Sequence, residues 1–138
     1  MIDLNSDFGR RVAERLEKEQ VIWLTTIDSK GMPQPKPVWF LWDGQSFLIY
    51  SEPEARKVAH IAREPKVALT LNSDEWGNNV VIFTGEANLA SENPPANEVA
   101  EYVAKYEEGM ASINLTPKQF AESFSTAIRV KPVSLRGH

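Results

Sequence analysis

Residues 21–51 read VIWLTTIDSKGMPQPKPVWFLWDGQSFLIYS, and this stretch decides the fold. Val21 to Ile27 is rich in β-branched and aromatic residues and stops at Asp28-Ser29-Lys30-Gly31, a polar turn whose glycine can take a positive φ. Gln34 to Trp42 continues the same pattern, Asp43-Gly44 is a strong tight-turn dipeptide, and Ser46 to Ser51 follows as a third strand. Three strands in direct succession make an antiparallel meander, because a parallel pair needs a long crossover between its strands. The second strand carries Pro33, Pro35 and Pro37 at alternate positions. Each removes a backbone donor on the same side, so its first half is expected at a sheet edge or splayed from the sheet.

Working outward, Phe8, Val12 and Leu16 recur every four residues after Ser6 and Asp7, which predicts an amphipathic helix ending near Gln20. Downstream, Pro53 opens a predicted helix through about Arg63, closed by Pro65, and Lys66 to Asn72 is a fourth strand. A loop with Trp76-Gly77-Asn78-Asn79 leads to a long fifth strand, Val80 to Leu89, in which Gly85 marks an expected bulge. Pro94-Pro95 precedes a third helix, about Ala96 to Tyr106, with Val99, Tyr102, Val103 and Tyr106 on one face. Thr116-Pro117-Lys118-Gln119 has the capping-box order and opens a short helix containing Phe120 and Phe124. Ile128, Val130 and Leu135 mark a last strand, interrupted by Pro132. The sum is one mainly β domain over residues 1–138, with about six antiparallel strands and inserted helices: a small closed or partly open barrel.

The composition limits the chemistry. The chain has 138 residues and no cysteine, which removes thiol catalysis and thiolate metal sites. No apolar run approaches the ~20 residues of a membrane helix and the first ten residues lack a signal-peptide pattern, so the expected location is the cytoplasm. The net charge is -4. Between Glu92 and Glu108 five acids face one base, Lys105, and the remainder is balanced. The acidity thus belongs to one solvated helix, and no basic stripe exists to neutralise a nucleic-acid backbone.

The stretch Ser51 to Arg63 (SEPEARKVAHIAR) is the most informative chemically. At about 100° per residue, Arg56, Lys57, His60 and Arg63 share one arc, with Val58, Ile61 and Ala62 expected on the core side. Such an arc near a helix start would hold a phosphate through hydrogen bonds from arginine and the charge of lysine. The alternative is a solvated face whose partners are Glu52, Glu54 and Glu64. On the second strand, alternation puts Trp39 and Leu41 on one side and Lys36, Val38, Phe40 and Trp42 on the other. If the side bearing Lys36 lines a groove, a cation beside apolar surface would suit a flat ring with a charged tail. A metal site is not expected from a single internal His without carboxylates at ligand spacing. No G-x-S-x-G elbow, G-x-G-x-x-G or P-loop occurs.

Taken in order, Gly31-Met32-Pro33, Pro37-Val38-Trp39-Phe40, Trp42-Asp43-Gly44, Tyr50-Ser51, Lys57-x-x-His60, Glu64-Pro65-Lys66-Val67-Ala68-Leu69 and Gly85-Glu86-Ala87 resemble the pyridoxamine 5'-phosphate oxidase-like split β-barrel superfamily. Within it they look most like the short deazaflavin-dependent branch, the coenzyme F420-dependent reductases. The resemblance runs from about Phe8 to Leu89 and returns, more weakly, over Ile128 to Arg136. It implies an FMN-binding-like split barrel, a homodimer with cofactor sites at the subunit interface, and no catalytic side chain, since the cofactor carries the chemistry. It implies that Arg56, Lys57 and His60 meet the cofactor phosphate, while Lys36, Pro37, Val38, Trp39 and Ser51 lie along the cofactor. The activity implied is hydride transfer between reduced F420 and a small organic acceptor. FMN as the cofactor, or a non-enzymatic carrier of a cofactor or tetrapyrrole, are the competing expectations. The C-terminal substrate motif of the longer true oxidases is missing from Leu135-Arg136-Gly137-His138.

Overall fold

The computed structural model describes residues 2–138. In chain order the elements are α1 (Asp7–Lys18), β1 (Ile22–Ile27), β2 (Pro33–Val38), β3 (Leu41–Trp42), β4 (Phe47–Ser51), α2 (Arg56–Arg63), β5 (Lys66–Thr70), β6 (Val81–Leu89), a 3-10 turn (Ala96–Glu98), α3 (Ala100–Ser112), α4 (Pro117–Ser123) and β7 (Thr126–Gly137). All seven strands belong to one antiparallel sheet in the order β2-β1-β5-β6-β7-β4-β3. Its two edge strands, β2 and β3, are consecutive in the chain and separated only by Trp39 and Phe40. Three Cα–Cα steps span at most about 11 Å, so the sheet must curl until its edges nearly meet. The result is a split barrel whose seam lies at Trp39-Phe40.

The proline-bearing strand is an edge, as its alternate missing donors require. Its second half departs from expectation: Gln34 to Trp42 is two strands rather than one, which makes seven strands instead of about six. The alternation survives the break. Val38, Phe40 and Trp42 pack into the core inside the barrel, whereas Trp39 and Leu41 join a second cluster beneath α3 and α4. Ser6 caps α1 by accepting from the Gly9 amide, and Thr116 and Gln119 close a reciprocal capping box on α4.

The bulge falls where Gly85 predicts it, as a register shift between Thr84 and Gly85. A Cβ on Gly85 would lie 2.5 Å from the Lys131 carbonyl oxygen, so the close approach itself requires glycine. Pro132 pairs opposite Gly85. It therefore does not interrupt the last strand, which runs unbroken from Thr126 to Gly137, because the bulge takes up the missing donor. The second helix begins at Arg56 with Ala55 as its N-cap, three residues later than Pro53 suggests, after a turn closed by Ala55 N donating to Glu52 O at 3.2 Å. Among the described residues no helix is long and apolar enough to cross a membrane.

Candidate functional site

The seam leaves the backbone at Phe40 without strand partners, and α3 supplies replacements. The Tyr106 hydroxyl accepts from Phe40 N (2.8 Å) and lies within donating distance of the carbonyl oxygens of Gln20 (2.7 Å) and Phe40 (2.9 Å). The Lys105 ammonium donates to Leu16 O (3.2 Å) and Phe40 O (3.0 Å) and sits 3.7 Å above the Phe40 ring. Burial pulls the Lys105 pKa down to about 8. Trp39, turned out of the barrel, stacks on Tyr106 (centroids 4.7 Å apart, 6° between planes) and on Phe120 (5.5 Å, 15°). Gly109 of α3 permits that approach, since a Cβ there would lie 3.0 Å from Trp39 Cη2.

Beside this stack opens a cleft of about 330 Å³. One part of its lining comes from the end of β2, the end of β4 and the start of α2: Lys36, Pro37, Val38, Ser51, Glu52 and Lys57. The other part is apolar and aromatic: Trp39, Tyr50, Tyr102, Ile113, Phe120 and Phe124. Burial pushes the Lys57 pKa down, the neighbouring Lys36 charge acts in the same direction, and Glu52 opposes both. A half-buried lysine whose charge is disfavoured by burial and by a second lysine favours an anion beside it. Ser51 is buried and its hydroxyl donates to the Glu52 carbonyl oxygen at 2.9 Å, which fixes the turn leading into α2.

Six of the eight residues expected along a cofactor line this one cleft: Lys36, Pro37, Val38, Trp39, Ser51 and Lys57. Arg56 and His60 do not. Arg56 is exposed on α2. His60 is turned toward β1, its Nδ1 2.8 Å from Oγ1 of the buried Thr26, with either atom able to donate. Arg63 likewise faces β1 and donates to Ile27 O at 2.6 Å. The shared cationic arc is therefore divided among cleft, solvent and sheet. Ile61 is the fully buried residue of α2, and Ala62, expected in the core, is exposed. The spacing gives relative angles around the helix, but short alanines leave open which side meets the sheet.

The aromatic wall from α3 and α4 was not among the expected site residues. The i, i+4 pair Phe120 and Phe124 was visible, and the two rings stack at 4.4 Å, but nothing local tied them to Trp39, more than 80 positions away. A wider hollow of about 600 Å³ lies elsewhere, on the outer face of the sheet, lined by Thr25, Ile27, Pro33, Ala68, Thr84 and neighbours. It includes none of the eight residues.

A curled antiparallel sheet split at one seam, with flanking helices and a lysine-bearing cleft beside the seam, defines the split-barrel class. The chain belongs to the pyridoxamine 5'-phosphate oxidase family, whose model matches residues 8–137. No curated protein sequence matches it. Among solved structures it is similar to one described as an F420 reductase (TM-score 0.69, 21% identity, covering 89% of this chain and 94% of that one). It is also similar to HutZ, a heme storage protein from Vibrio cholerae (0.69, 16% identity, 96% and 95%). A third is the conserved hypothetical protein Rv2991 from Mycobacterium tuberculosis (0.73, 18% identity, 95% and 82%). At these identities the likeness is one of fold.

Proposed function

We propose that the cleft binds coenzyme F420, a flat ring system with an anionic tail, and that the protein passes a hydride between the reduced cofactor and a small organic acceptor. The observation that carries this reading is the half-buried Lys57 beside Lys36, in a cleft whose remaining wall is aromatic. A lone phosphate would need the cations and not the rings, and a neutral apolar ligand the reverse. Deazaflavin is chosen over FMN on the resemblance of the sequence motifs from Gly31 to Ala87 to the deazaflavin-dependent branch. A haem finds no imidazole, thiolate or thioether among the residues lining this cleft, and of its two tyrosines Tyr50 donates its hydroxyl to the Pro94 carbonyl oxygen while burial holds both phenols against ionising.

In this reading Lys36 and Lys57 hold the anionic tail and Arg56, exposed on α2 next to Lys57, adds charge from outside. Pro37, Val38 and Trp39 lie along the ring, and Phe120 and Phe124 keep water from it. The bound cofactor supplies the hydride chemistry, and the protein binds and orients. His60 acts on the site indirectly by fixing α2 to β1. In the homodimer that the family resemblance implies, a second copy of the chain packs beside the open cleft, so that both chains share the site.

The test is a parallel titration of stripped protein with F420 and with FMN, read by tryptophan and cofactor fluorescence. Micromolar or tighter binding of F420 is expected, with Lys57→Ala weakening it at least tenfold, about 1.4 kcal/mol. Preference for FMN would move the protein to the flavin branch, and unchanged affinity in Lys57→Ala would remove that lysine from the site. A monomer by light scattering at micromolar concentration would overturn the shared-interface arrangement.

A further inference from the structure

Tyr50, Tyr102 and Tyr106 pack ring against ring, with the Tyr102 centroid 4.9 Å from each of the other two. The Tyr50 hydroxyl donates to Pro94 O (2.6 Å) and accepts from Asn93 Nδ2 (3.1 Å), and the Tyr106 hydroxyl holds the seam at Phe40. The third hydroxyl is different. Among the described residues Tyr102 Oη has no hydrogen-bond partner, although the residue is 0% exposed. A buried hydroxyl left unpaired costs stability, and such groups in folded proteins have a cause. Packing does not supply one, because phenylalanine would fill the same space without the cost. Tyr102 lines the cleft in its aromatic part, its ring 6.0 Å by centroid from that of Phe120.

We propose that Tyr102 is a specificity-determining residue of the cleft, its phenol donating a hydrogen bond to a carbonyl oxygen of the small acceptor. Its surroundings decide what pairs with it. Burial pushes the Tyr102 pKa up, so the phenol keeps its proton and offers it as a donor. An anionic partner is disfavoured among aromatic side chains, and the lysines already serve an anion. An uncharged carbonyl on a flat ring meets both conditions: the ring lies against the aromatic wall and the oxygen accepts from the phenol. The hydroxyl is closed to solvent, so the ligand reaches it by displacing part of the wall. Ile113, 47% exposed, is the residue there freest to move. The proposal rests on the cleft being the reactive site of the reading above, but not on deazaflavin as opposed to FMN.

The experiment titrates the full chain with 1-tetralone and with tetralin, which share a ring skeleton and differ in the ketone, and follows tryptophan fluorescence. The wild type is expected to bind 1-tetralone about fivefold tighter or more, the worth of one net hydrogen bond, although apolar burial alone favours tetralin. That affinity should persist with saturating F420 present. In Tyr102→Phe the preference should vanish through weaker 1-tetralone binding, with tetralin binding held. The carbonyl stretch of bound 1-tetralone, lowered in the wild type, should return toward its unbonded frequency in infrared difference spectra. Without ligand, Tyr102→Phe should unfold at an equal or higher urea concentration than the wild type, since it removes an unpaired group. A lower urea midpoint would mean that the hydroxyl is satisfied within the fold, and an unchanged 1-tetralone affinity would remove it from the site. Displacement of 1-tetralone by F420 would give the carbonyl to the cofactor ring instead of the acceptor, and failure of the wild type to bind either probe would also overturn the proposal. If F420 and FMN fail to bind while 1-tetralone still binds through Tyr102, the cofactor reading falls and the preference assigned to Tyr102 stands; if F420 binds and 1-tetralone does not, the reverse holds.

Discussion

Gly109→Ala is expected to destabilise the protein, although helix propensity alone says the opposite. In a helix interior alanine is worth up to about 1 kcal/mol over glycine, and somewhat less near the end of α3. Against that gain stands the Trp39 indole. The added Cβ would lie 3.0 Å from Cη2 and 3.1 Å from Cζ2, where relaxed carbon contacts are about 3.5–4.0 Å. Any movement of the ring disturbs its stacking on Tyr106 and Phe120. The ring must slide toward the cleft or leave its rotamer. Sliding forfeits part of two aromatic pairs worth about 0.5–1.5 kcal/mol each, and an off-rotamer χ costs about as much. The balance is a net loss of about 0.5–1.5 kcal/mol, with the indole displaced into the space a ligand would use. Urea unfolding gives the stability, and near-ultraviolet circular dichroism reports the tryptophan environment. In a Trp39→Phe background, whose smaller ring leaves room, the same Gly109→Ala change should stabilise by about 0.5–1 kcal/mol. If Gly109→Ala stabilises both backgrounds alike and leaves the tryptophan signal unchanged, the packing argument is wrong.

Two further outcomes follow from backbone packing and charge. Gly85→Ala should cost more than about 2 kcal/mol in chemical denaturation, because its Cβ meets the Lys131 carbonyl at 2.5 Å in the bulge rather than a movable side chain; a loss under about 0.5 kcal/mol would mean that the bulge can open. Since the folded Lys105 pKa is about 8 against an ordinary value of 10.5, the unfolded chain binds more protons between those values and stability should rise with pH from 8 to about 10, by roughly 1–2 kcal/mol after allowance for the part of the side chain that faces water. Above pH 10 the raised pKa values of Tyr102 and Tyr106 act against folding, so the window closes there. Lys105→Met should flatten the rise, leaving the smaller slope that Lys57 contributes in the same direction, and a slope equal to wild type would exclude Lys105 as its source.

Much of the fold was legible because its signals are local. Alternate prolines cannot occupy a central strand, and β2 is an edge. A glycine inside a long strand pattern marked the bulge, and Thr116 to Gln119 spelled its own cap. The period-2 pattern of Val38 to Trp42 sorted its residues correctly between two cores even where the strand breaks. What was not legible depends on where elements meet. The helical wheel of α2 placed its cations together, yet Thr26 and Ile27 draw His60 and Arg63 onto β1 and leave Lys57 at the cleft. Those partners lie 34 and 36 positions away, beyond the reach of any periodicity.

The break at Trp39-Phe40 was the one local departure, and it has a structural cause and a chemical consequence. A strand running straight through these residues would keep Trp39 in a regular pleat and leave the Phe40 amide and carbonyl to strand neighbours. Splitting the sheet there strands the two groups, and α3 recovers them with the Tyr106 hydroxyl and the Lys105 ammonium. That recovery holds α3 against the seam, and α3 with α4 brings Tyr102, Phe120 and Phe124 up to Trp39. Lys36, Lys57 and Ser51 arrive at the same place from strand and helix ends that terminate at the opening. The cleft is thus a consequence of how the barrel fails to close, and closing the seam with continuous strand pairing would remove the aromatic wall and the lysine end together.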